Sequence, residues 1–343
     1  MPKTIPLNSM EFCPNPPNSW QQQLAQAITS PETLLNTLGL SIDTFGDYLP
    51  ANRQFSLKVP QAYVDKIQPN TPTDPLLLQI MTQSNEIVEA EGYTTDPVGD
   101  IRASQVPGLL HKYHGRVLLI TTAACAVHCR YCFRRHFPYQ QQTASRENWQ
   151  EAIEYIQQDS SIEEVILSGG DPLVLSDDKL ETLINKLESI PHLSRLRIHS
   201  RLPVVLPDRV TDRLVNILSS CRLNVCMVIH ANHANEISRA EITILRKLQK
   251  SGINLLNQAV LLNNINNLEK DQINLSNALY NAGVLPYYLH MLDPVSGSAH
   301  FEVELEDAKK LISNMREKLP GFLVPKLVRE IAGEKSKTPA NEL

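Results

Sequence analysis

From about residue 116 onward, short apolar or β-branched runs alternate with longer amphipathic stretches. The runs typical of strands are RVLLITT, EEVILSGG, RLRIHSR, NVCMVIH, LLNQAVLL and PYYLHML. The stretches between them have helical spacing, as in ENWQEAIEYIQQ and DDKLETLINKLESI, and DAKKLISNMREKL follows the last run. About six successive strand–helix units predict a parallel sheet with right-handed crossovers. Their number favours a barrel, complete or partial, over an open sheet.

The N-terminal part of the chain has a different character, since it is rich in Pro, Gln and Asn. Its patterns SWQQQLAQAI and PETLLNTLGL are typical of short helices, and the prolines of QPNTPTDP prevent a long element there. We therefore expect a mostly helical extension over residues 1–105, the barrel over 106–333 and a short tail over 334–343.

Charge and apolar content exclude several classes of protein. The formal net charge of −5 argues against a protein that coats nucleic acid or an anionic membrane. No apolar run is long enough to span a bilayer, and the start MPKTIPLNSMEF lacks the apolar segment of a secretory signal. We therefore expect a cytoplasmic protein with no nucleic-acid or membrane partner. Six cysteines in 343 residues are too few for a disulfide framework, so clustered cysteines are expected to bind metal or do chemistry.

Three of the cysteines, Cys125, Cys129 and Cys132, form a Cys-x-x-x-Cys-x-x-Cys motif just after RVLLITT. Such a motif can hold a cubane iron–sulfur cluster and leave one of its four irons open to a ligand that is not protein. The alternative is tetrahedral zinc, which requires a fourth ligand. The histidines available for that position are His128, His136 and His230. The spacing, the preceding strand and the aromatic residue before the last cysteine favour the cluster. The other cysteines, Cys13, Cys221 and Cys226, are expected to be ordinary thiols.

Polar residues also occur where the other predicted strands end. In a βα barrel the chemistry takes place at the carboxyl ends of the strands and on the loops that follow them. The residues at or near these ends are Ser168, Gly169, Gly170, Asp171, Ser200, Arg201, His230, Gln258 and Asp293. Because unrelated surface loops would not share this pattern, we expect one active site at this edge.

The cysteine spacing, with Tyr131 before the last cysteine, resembles the signature of the radical S-adenosylmethionine superfamily. The motifs RYCFRRHF, LSGGDPL, RIHSRLPVVLP, NHANEI, LNQAVLL and PYYLHMLD, in this order, resemble the lysine 2,3-aminomutases. The resemblance covers roughly residue 106 to the C-terminus. The patterns LLHKYH, CFRRHFPY and SWQQQLAQAITSPETLL are similar to those of the subgroup that supports β-lysylation of translation elongation factor P.

This resemblance implies a partial (β/α)6 barrel of the radical S-adenosylmethionine type with an N-terminal helical extension. It implies an isomerase that converts L-α-lysine into (R)-β-lysine by a radical mechanism. The implied cofactors are a [4Fe-4S] cluster on Cys125, Cys129 and Cys132, S-adenosylmethionine and pyridoxal 5′-phosphate. The implied partners are an electron donor such as flavodoxin or ferredoxin and, downstream, elongation factor P with its lysyl-ligase.

The resemblance also implies roles for single residues near the pyridoxal phosphate. Lys337 in GEKSKTP matches the lysine that binds this cofactor covalently, ahead of Lys326 and Lys335. Lys112, Tyr113 and Arg116 match the residues that bind its phosphate, with Lys112 standing where the family has an arginine.

The remaining implied roles concern the two other ligands. Arg134 matches the residue that binds the substrate carboxylate. Asp293 and Glu330 match two acids around its side-chain ammonium, with Glu330 one methylene longer than the family's aspartate. Two carboxylates would attract an ammonium and repel the side chain of glutamate. The residues assigned to S-adenosylmethionine are Ser168, Gly169, Gly170, Asp171, Ser200, Arg201, His230 and Gln258.

Three other interpretations remain open at this point. The enzyme could act on another amino acid, or could make β-lysine for another purpose such as an osmolyte. The sequence ends six residues after Lys337, whereas the free-lysine enzymes of the family continue further, which favours the elongation factor role. A protein of a different class, a metal-stabilised binding module, would have no use for Lys337, Arg134 and Asp293 together.

Overall fold

The computed structural model describes residues 19–139 and 148–343. Cys13 and the polar run at residues 140–142 lie outside this part of the chain.

The described strands form one sheet whose strand order follows the chain from β1 to β10. The six predicted strands are confirmed as β3 to β8, and the strands from β3 to β9 run parallel to one another. The first two strands and the last one are antiparallel to the neighbours they pair with. The strands are β1 (Ser104–Val106), β2 (Leu109–Tyr113), β3 (Arg116–Thr122), β4 (Glu164–Gly169), β5 (Arg195–Ser200), β6 (Asn224–Ile229), β7 (Asn254–Val260), β8 (Leu285–His290), β9 (Lys326–Arg329) and β10 (Thr338–Pro339). Among the described residues β1 and β10 do not pair, so the predicted partial barrel is confirmed as an open one.

Helices precede the sheet and connect its parallel strands. The α-helices are α1 (Trp20–Ala25), α2 (Pro31–Thr37), α3 (Leu49–Gln54), α4 (Gln61–Val64), α5 (Pro75–Leu78), α6 (Asn148–Gln158), α7 (Asp177–Glu188), α8 (Leu202–Val205), α9 (Asp212–Ser219), α10 (Arg239–Lys250), α11 (Glu269–Asn281) and α12 (Leu305–Lys318). Short 3₁₀ helices lie at Ile42–Phe45, Ser84–Ile87, Pro172–Val174, Pro207–Arg209, Ala234–Glu236, Ala299–Phe301, Gly321–Leu323 and Ala340–Glu342. Several starts follow ordinary capping chemistry: Ser238, for example, begins α10 in a capping box with Glu241.

The central strands have two different faces, because successive side chains of a strand point to opposite sides. In β5, Leu196 and Ile198 are buried in the hydrophobic core, whereas Arg197 and His199 line the cavity inside the barrel. The inner face of β5 is therefore polar, although apolar residues of the neighbouring strands, Ile166 and Val228, also line the cavity. Its outer face belongs to the hydrophobic core.

The N-terminal extension shares one hydrophobic core with the barrel. Trp20, Leu34 and Tyr63 from the extension belong to the same buried cluster as Leu167 and Ile198 from the sheet. The sheet also crosses both expected boundaries, since β1 spans residue 105 and the tail supplies β10. Within the described residues, no helix is both long and apolar enough to cross a membrane.

Candidate active site

A cavity of about 680 Å³ lies inside the barrel and extends to the carboxyl ends of its strands. Every site residue suggested by the sequence lines this cavity. They are Lys112, Tyr113, Arg116, Cys125, Cys129, Cys132, Arg134, Ser168, Gly169, Gly170, Asp171, Ser200, Arg201, His230, Gln258, Asp293, Glu330 and Lys337. The structure thus brings all of them together, although it does not give all of them the expected partners.

The cysteine loop leaves the end of β3 and is fixed through its backbone. The amide of Cys132 donates to the carbonyl of Cys129 at 3.0 Å, which closes a tight turn between the last two cysteines. The amides of His128 and Arg130 donate to carbonyls of the N-terminal extension, at 2.9 Å in both cases. The extension therefore supports the loop that carries the thiols.

The three histidines considered as a fourth zinc ligand all have protein partners. Among the described residues, no group of three or more His, Cys, Asp and Glu side chains lies close enough to hold one metal ion. Two of the candidate histidines bond to backbone carbonyls, His128 Nδ1 to Ser56 at 2.7 Å and His136 Nε2 to Ser296 at 3.1 Å. His230 Nε2 lies 2.8 Å from the hydroxyl of Tyr131. A cubane fits this arrangement better, because its three cysteines bind three different irons rather than one ion.

Two of the three thiols are held in their neutral form by burial. Burial raises the pKa of Cys132 to about 11 and raises that of Cys125 as well. A coordinating metal deprotonates a thiol outright. The donor set is therefore suited to a cluster, whose positive irons would compensate the buried thiolates.

The two glycines of SGGD serve the cysteine loop more than a ligand. Gly169 has φ of +124°, and a Cβ on Gly170 would lie 2.2 Å from the carbonyl oxygen of Ala124. The amides of Gly170 and Asp171 donate to the carbonyls of Thr122 and Ala124 at 2.7 and 2.8 Å. Both amides are thus occupied, and the glycines allow the start of the cysteine loop to lie directly against β4.

Asp171 and Ser200 also have protein partners. The carboxylate of Asp171 accepts from Ser200 Oγ at 2.7 Å and from the amides of Arg201 and Leu202 at 2.8 and 3.1 Å. It also accepts from the amide of Leu173 at 3.0 Å. Both residues thus join the ends of β4 and β5, and their assignment to S-adenosylmethionine stays a prediction.

Arg201 connects the cysteines with a buried polar network. Its Nη1 donates to Cys129 Sγ at 2.7 Å and to the hydroxyl of Tyr131 at 2.8 Å. Its Nη2 donates to Gln79 at 2.7 Å and to Glu236 at 2.8 Å. Hydrogen bonds to cysteine sulfur are among the factors that set the reduction potential of an iron–sulfur cluster. Arg201 is thus placed to influence the cluster rather than to reach far into the cavity.

His230 and Gln258 remain on the cavity wall. His230 stacks on Tyr131 with ring centroids 5.6 Å apart, and burial lowers its pKa to about 3. The amide of Gln258 donates to His290 Nε2 at 3.1 Å. Both side chains are neutral and present polar atoms to the same space.

In the part of the cavity that contains Glu330, Lys337 is paired with this acid. Its Nζ lies 2.6 Å from Glu330 Oε2, and Lys112 Nζ lies 3.0 Å from Glu330 Oε1. Although burial opposes ionisation, these two lysines hold the pKa of Glu330 well below its usual range. Glu330 was expected at the substrate ammonium, but here it is neutralised by the protein.

Lys112 is also paired with protein groups, and its role at the phosphate stays a prediction. Besides Glu330, its ammonium contacts Asp100 Oδ1 at 2.5 Å and donates to the carbonyl of Val98 at 2.8 Å. These three acceptors account for its three protons. The guanidinium of Arg116, which lies 4.7 Å from the centre of the Tyr113 ring, has no ion pair or hydrogen bond among the described residues. Arg116 is therefore the cation of this part of the cavity that is available to a phosphate.

Asp293 is the acid that remains unneutralised. Its Oδ1 is buried and has no hydrogen-bond partner among the described residues. Burial, with Glu330 nearby, raises the pKa of Asp293 to about 7. A cationic group of a ligand would supply the missing partner.

Three further cavity residues were not foreseen. Asp100 binds both Arg134 and Lys112, but it lies in an irregular segment of the extension that carries no recognisable motif. His199 and His290 lie on β5 and β8, and His199 Nε2 is buried with no partner in the described part of the chain. These two histidines could have been found from the sequence, because both strands were predicted and successive side chains of a strand point to alternate faces.

Comparison with known proteins agrees with this geometry. Residues 119–271 match the family model of the Radical SAM superfamily. The L-lysine 2,3-aminomutase of Escherichia coli (strain K12) is 47% identical over 324 residues, which cover 93% of this chain and 94% of the relative. That of Haemophilus influenzae is 48% identical over 93% of this chain and 95% of the relative. That of Clostridium subterminale is 35% identical over 94% of this chain and 77% of the relative.

The matched segment contains the cysteine loop and the strands β4 to β7, which contribute residues to the cavity. The relatives align with nearly the whole chain, including the extension that supports the loop. The chain therefore belongs to the L-lysine 2,3-aminomutase family of the radical SAM superfamily.

Proposed function

We propose that this protein is an isomerase that moves the α-amino group of L-lysine to the β-carbon and yields (R)-β-lysine. The observation that carries the proposal is that one cavity is lined both by the cysteine triad and by Lys337. A metal-stabilised binding module would not need a lysine, an arginine and an unpaired acid facing the same space.

Cys125, Cys129 and Cys132 would hold a [4Fe-4S] cluster, which would supply the electron for reductive cleavage of S-adenosylmethionine. His230 and Gln258 line the cavity and are the wall groups that we assign to the remaining polar atoms of that ligand. Arg201 donates a hydrogen bond to Cys129 Sγ and would thereby influence the reduction potential of the cluster.

Lys337 would bind pyridoxal 5′-phosphate, which supplies electron delocalisation during amino-group migration. Arg116 offers its guanidinium to the phosphate, and bidentate contact with phosphate oxygens is what this group does best. Tyr113 packs against Arg116 and keeps the guanidinium over its ring. Burial and the neighbouring Glu330 raise the pKa of Tyr113, so its hydroxyl stays protonated and can donate.

The substrate lysine would be fixed by charges at its two ends. Arg134 would bind the α-carboxylate, and Asp293 would accept the side-chain ammonium. An isolated carboxylate in a buried site favours an ammonium and repels an acidic side chain, which supports lysine over glutamate as substrate.

The downstream use of β-lysine is proposed from sequence motifs alone. This use is supported by the patterns LLHKYH and CFRRHFPY and by Glu330, which stands where the family has an aspartate. In this role the protein supplies β-lysine, through a lysyl-ligase, to translation elongation factor P. A cytoplasmic location and reduction by a flavodoxin or ferredoxin belong to the same proposal.

The test is a comparison of substrates after anaerobic reconstitution. Free L-lysine, L-glutamate and lysine already attached to elongation factor P are supplied in separate reactions, and the β-amino acid formed is quantified. The proposal predicts β-lysine from free lysine and no product from glutamate. If product formed only from the attached lysine, the proposal that β-lysine is made before its attachment would be wrong. If product formed from glutamate, the proposed choice of lysine as substrate would be wrong.

A further inference from the structure

We propose that Asp100 is the positioning residue that sets Arg134 and Lys112 in place, and that it thereby controls recognition of the substrate carboxylate. This inference rests on the proposed function, because it takes Arg134 as the residue that binds that carboxylate.

Asp100 is only 2% exposed, and each of its carboxylate oxygens holds one cation of the cavity. Oδ2 accepts from Arg134 Nε at 2.6 Å, and Oδ1 lies 2.5 Å from Lys112 Nζ. Although burial opposes ionisation, the two cations lower the pKa of Asp100, so it is ionised at neutral pH.

The segment that carries Asp100 is itself fixed. Asp96 accepts the amides of Asp100 at 2.9 Å and Ile101 at 3.2 Å. Gly99 adopts φ of +67°, which turns the chain just before Asp100. The carboxylate is therefore presented by an ordered turn of the N-terminal extension, not by a freely rotating surface residue.

The contact with Asp100 leaves the working end of Arg134 available. Nε is used by Asp100, and Nη1 donates to Ser168 Oγ at 3.2 Å. Nη2 has no partner within the described residues. Because guanidinium and carboxylate pair through two parallel hydrogen bonds, a fixed guanidinium binds a carboxylate better than a mobile one.

Asp100 also decides the charge balance around Lys337. Arg134, Asp100, Lys112, Glu330 and Lys337 form a continuous row in which cations and anions alternate. Replacing Asp100 by a neutral residue removes one of only two anions among three cations. The side-chain amide of an asparagine at position 100 would also direct its NH₂ group at either Arg134 or Lys112. Lys112 would then depend on Glu330 and the carbonyl of Val98.

The experiment compares binding of L-lysine with binding of L-lysinamide, which lacks the carboxylate charge. Both dissociation constants are measured by calorimetry on protein loaded with cluster and pyridoxal phosphate, without reductant, so that no turnover occurs. In Asp100→Asn, the preference for lysine over lysinamide should fall about tenfold or more relative to wild type, as expected for a charge-assisted contact. Asp100→Glu keeps the charge but displaces it by about 1.5 Å, so its preference should fall about threefold.

The matched control is Asp74→Asn. Asp74 is also a buried acid of the extension, but its partners are backbone amides away from the cavity. This variant should keep the wild-type preference even if its stability falls. The inference would be overturned if Asp100→Asn kept the wild-type preference for lysine over lysinamide. If the asparagine variant does not fold, the same result in Asp100→Glu would overturn it. Formation of β-lysine by the same wild-type preparation is scored separately, so a failure of the proposed function is distinguishable from a failure of this one.

Discussion

Two acids of the cavity carry the same charge but differ in what neutralises it. Glu330 lies between Lys112 and Lys337, and its pKa is far below the usual range. Asp293 has a buried oxygen without a partner, and burial raises its pKa to about 7. A ligand ammonium therefore gains more from Asp293 than from Glu330, even though the family resemblance pairs the two acids.

Replacing Asp293 by Asn should weaken lysine binding strongly. A hydrogen bond to a charged group contributes about 1.5–3 kcal/mol, so KM for L-lysine should rise about ten- to hundredfold. The measurement is steady-state formation of β-lysine at varied lysine concentration. Asp208→Asn, which changes an exposed acid bonded to Gln23, is the control and should keep the wild-type KM. An unchanged KM in Asp293→Asn would remove Asp293 from the substrate site.

Lysine binding should also depend on pH through this carboxyl group. Because the pKa of Asp293 is about 7 and the substrate ammonium stays charged, ionised Asp293 becomes scarce as the pH falls from 8 to 6. The dissociation constant for lysine should rise about tenfold over that interval. Calorimetric titrations at several pH values, without reductant, measure it, and Asp293→Asn should give a flat profile. A wild-type profile as flat as that of the variant would contradict the assignment.

The same carboxyl group has the opposite effect on folding. Its pKa is higher in the folded chain than in the unfolded chain, so the folded state binds more protons between about pH 4 and 7. Its contribution to stability is therefore present at low pH and is lost as the pH rises toward 7. An ionised Asp293 without a ligand costs stability, which is the condition under which a bound ammonium would stabilise the protein most.

At this scale the sequence predicted positions better than contacts. Strand ends are located by periodicity, so residues such as His230 and Asp293 were placed on the right edge of the sheet. Partners were harder to predict, because they depend on side chains far away in the sequence. Asp100 and Glu330 both occupy Lys112, and Asp100 also holds Nε of Arg134, and nothing in a local motif reveals these contacts.

Among the elements, the junction between β4 and the cysteine loop is the most tightly constrained. Gly170 lies so close to this loop that a Cβ would come within 2.2 Å of Ala124 O and 2.8 Å of the carbonyl carbon of Ala123. Both obstacles are backbone atoms, which cannot move aside as a flexible side chain can. The glycine thus fixes where the loop begins and, through it, where Cys125 lies.

Gly170→Ala should displace the cysteine loop while leaving the outer core intact. We expect the iron and sulfide content per chain after reconstitution to fall to less than about half that of wild type, since one displaced cysteine weakens the whole cluster site. Colorimetric iron and sulfide assays on refolding-competent, monodisperse protein measure this. Gly321→Ala is the control, because a Cβ there would meet nothing within 4 Å. Equal cluster content in the two variants would show that the close approach is not needed.

The strands and helices were predictable where the alternation of apolar runs and helical stretches repeats along the chain. Each of the six central strands has an apolar run followed by a helical stretch, and the structure contains all six. The hairpin of β2 and β3 was not foreseen, because LLHKY is short and polar at one end and pairs antiparallel to a strand that was expected to be the first. The two-residue strand β10 contains Pro339 and is held by β9, so only the tertiary structure defines it.

For the molecule as a whole, the N-terminal extension is part of the active site rather than an appendage. Glu86 of the extension binds Arg130 and Arg135, which flank the last cysteine of the loop. Its carboxylate accepts from Arg130 Nε at 2.9 Å and from Arg135 Nη2 at 2.8 Å. All three side chains are almost fully buried. Composition predicted a separate range for the extension, but it could not reveal these long-range ion pairs.

Glu86→Gln should therefore destabilise the protein severely. Loss of one partner leaves two buried guanidinium groups without a counter-charge, and breaking a buried pair in this way costs about 3–5 kcal/mol. The free energy of unfolding measured in urea should fall by that amount. Glu181→Gln removes an exposed partner of Arg213 and should change it by less than about 1 kcal/mol. Equal effects of the two substitutions would contradict a structural role for the buried cluster of charges.

The central claim is that the cysteine triad and Lys337 serve one reaction in one cavity. The most direct measurement is the amount of β-lysine formed from L-lysine after anaerobic reconstitution with iron, sulfide, S-adenosylmethionine and pyridoxal phosphate, for wild type, Cys129→Ala and Lys337→Ala. We predict product from wild type and at least a thousandfold less from either variant, because each removes a covalent or coordinating contact for which the cavity offers no substitute. Full turnover by Lys337→Ala, or β-lysine from a Cys129→Ala protein that lacks iron, would contradict the account.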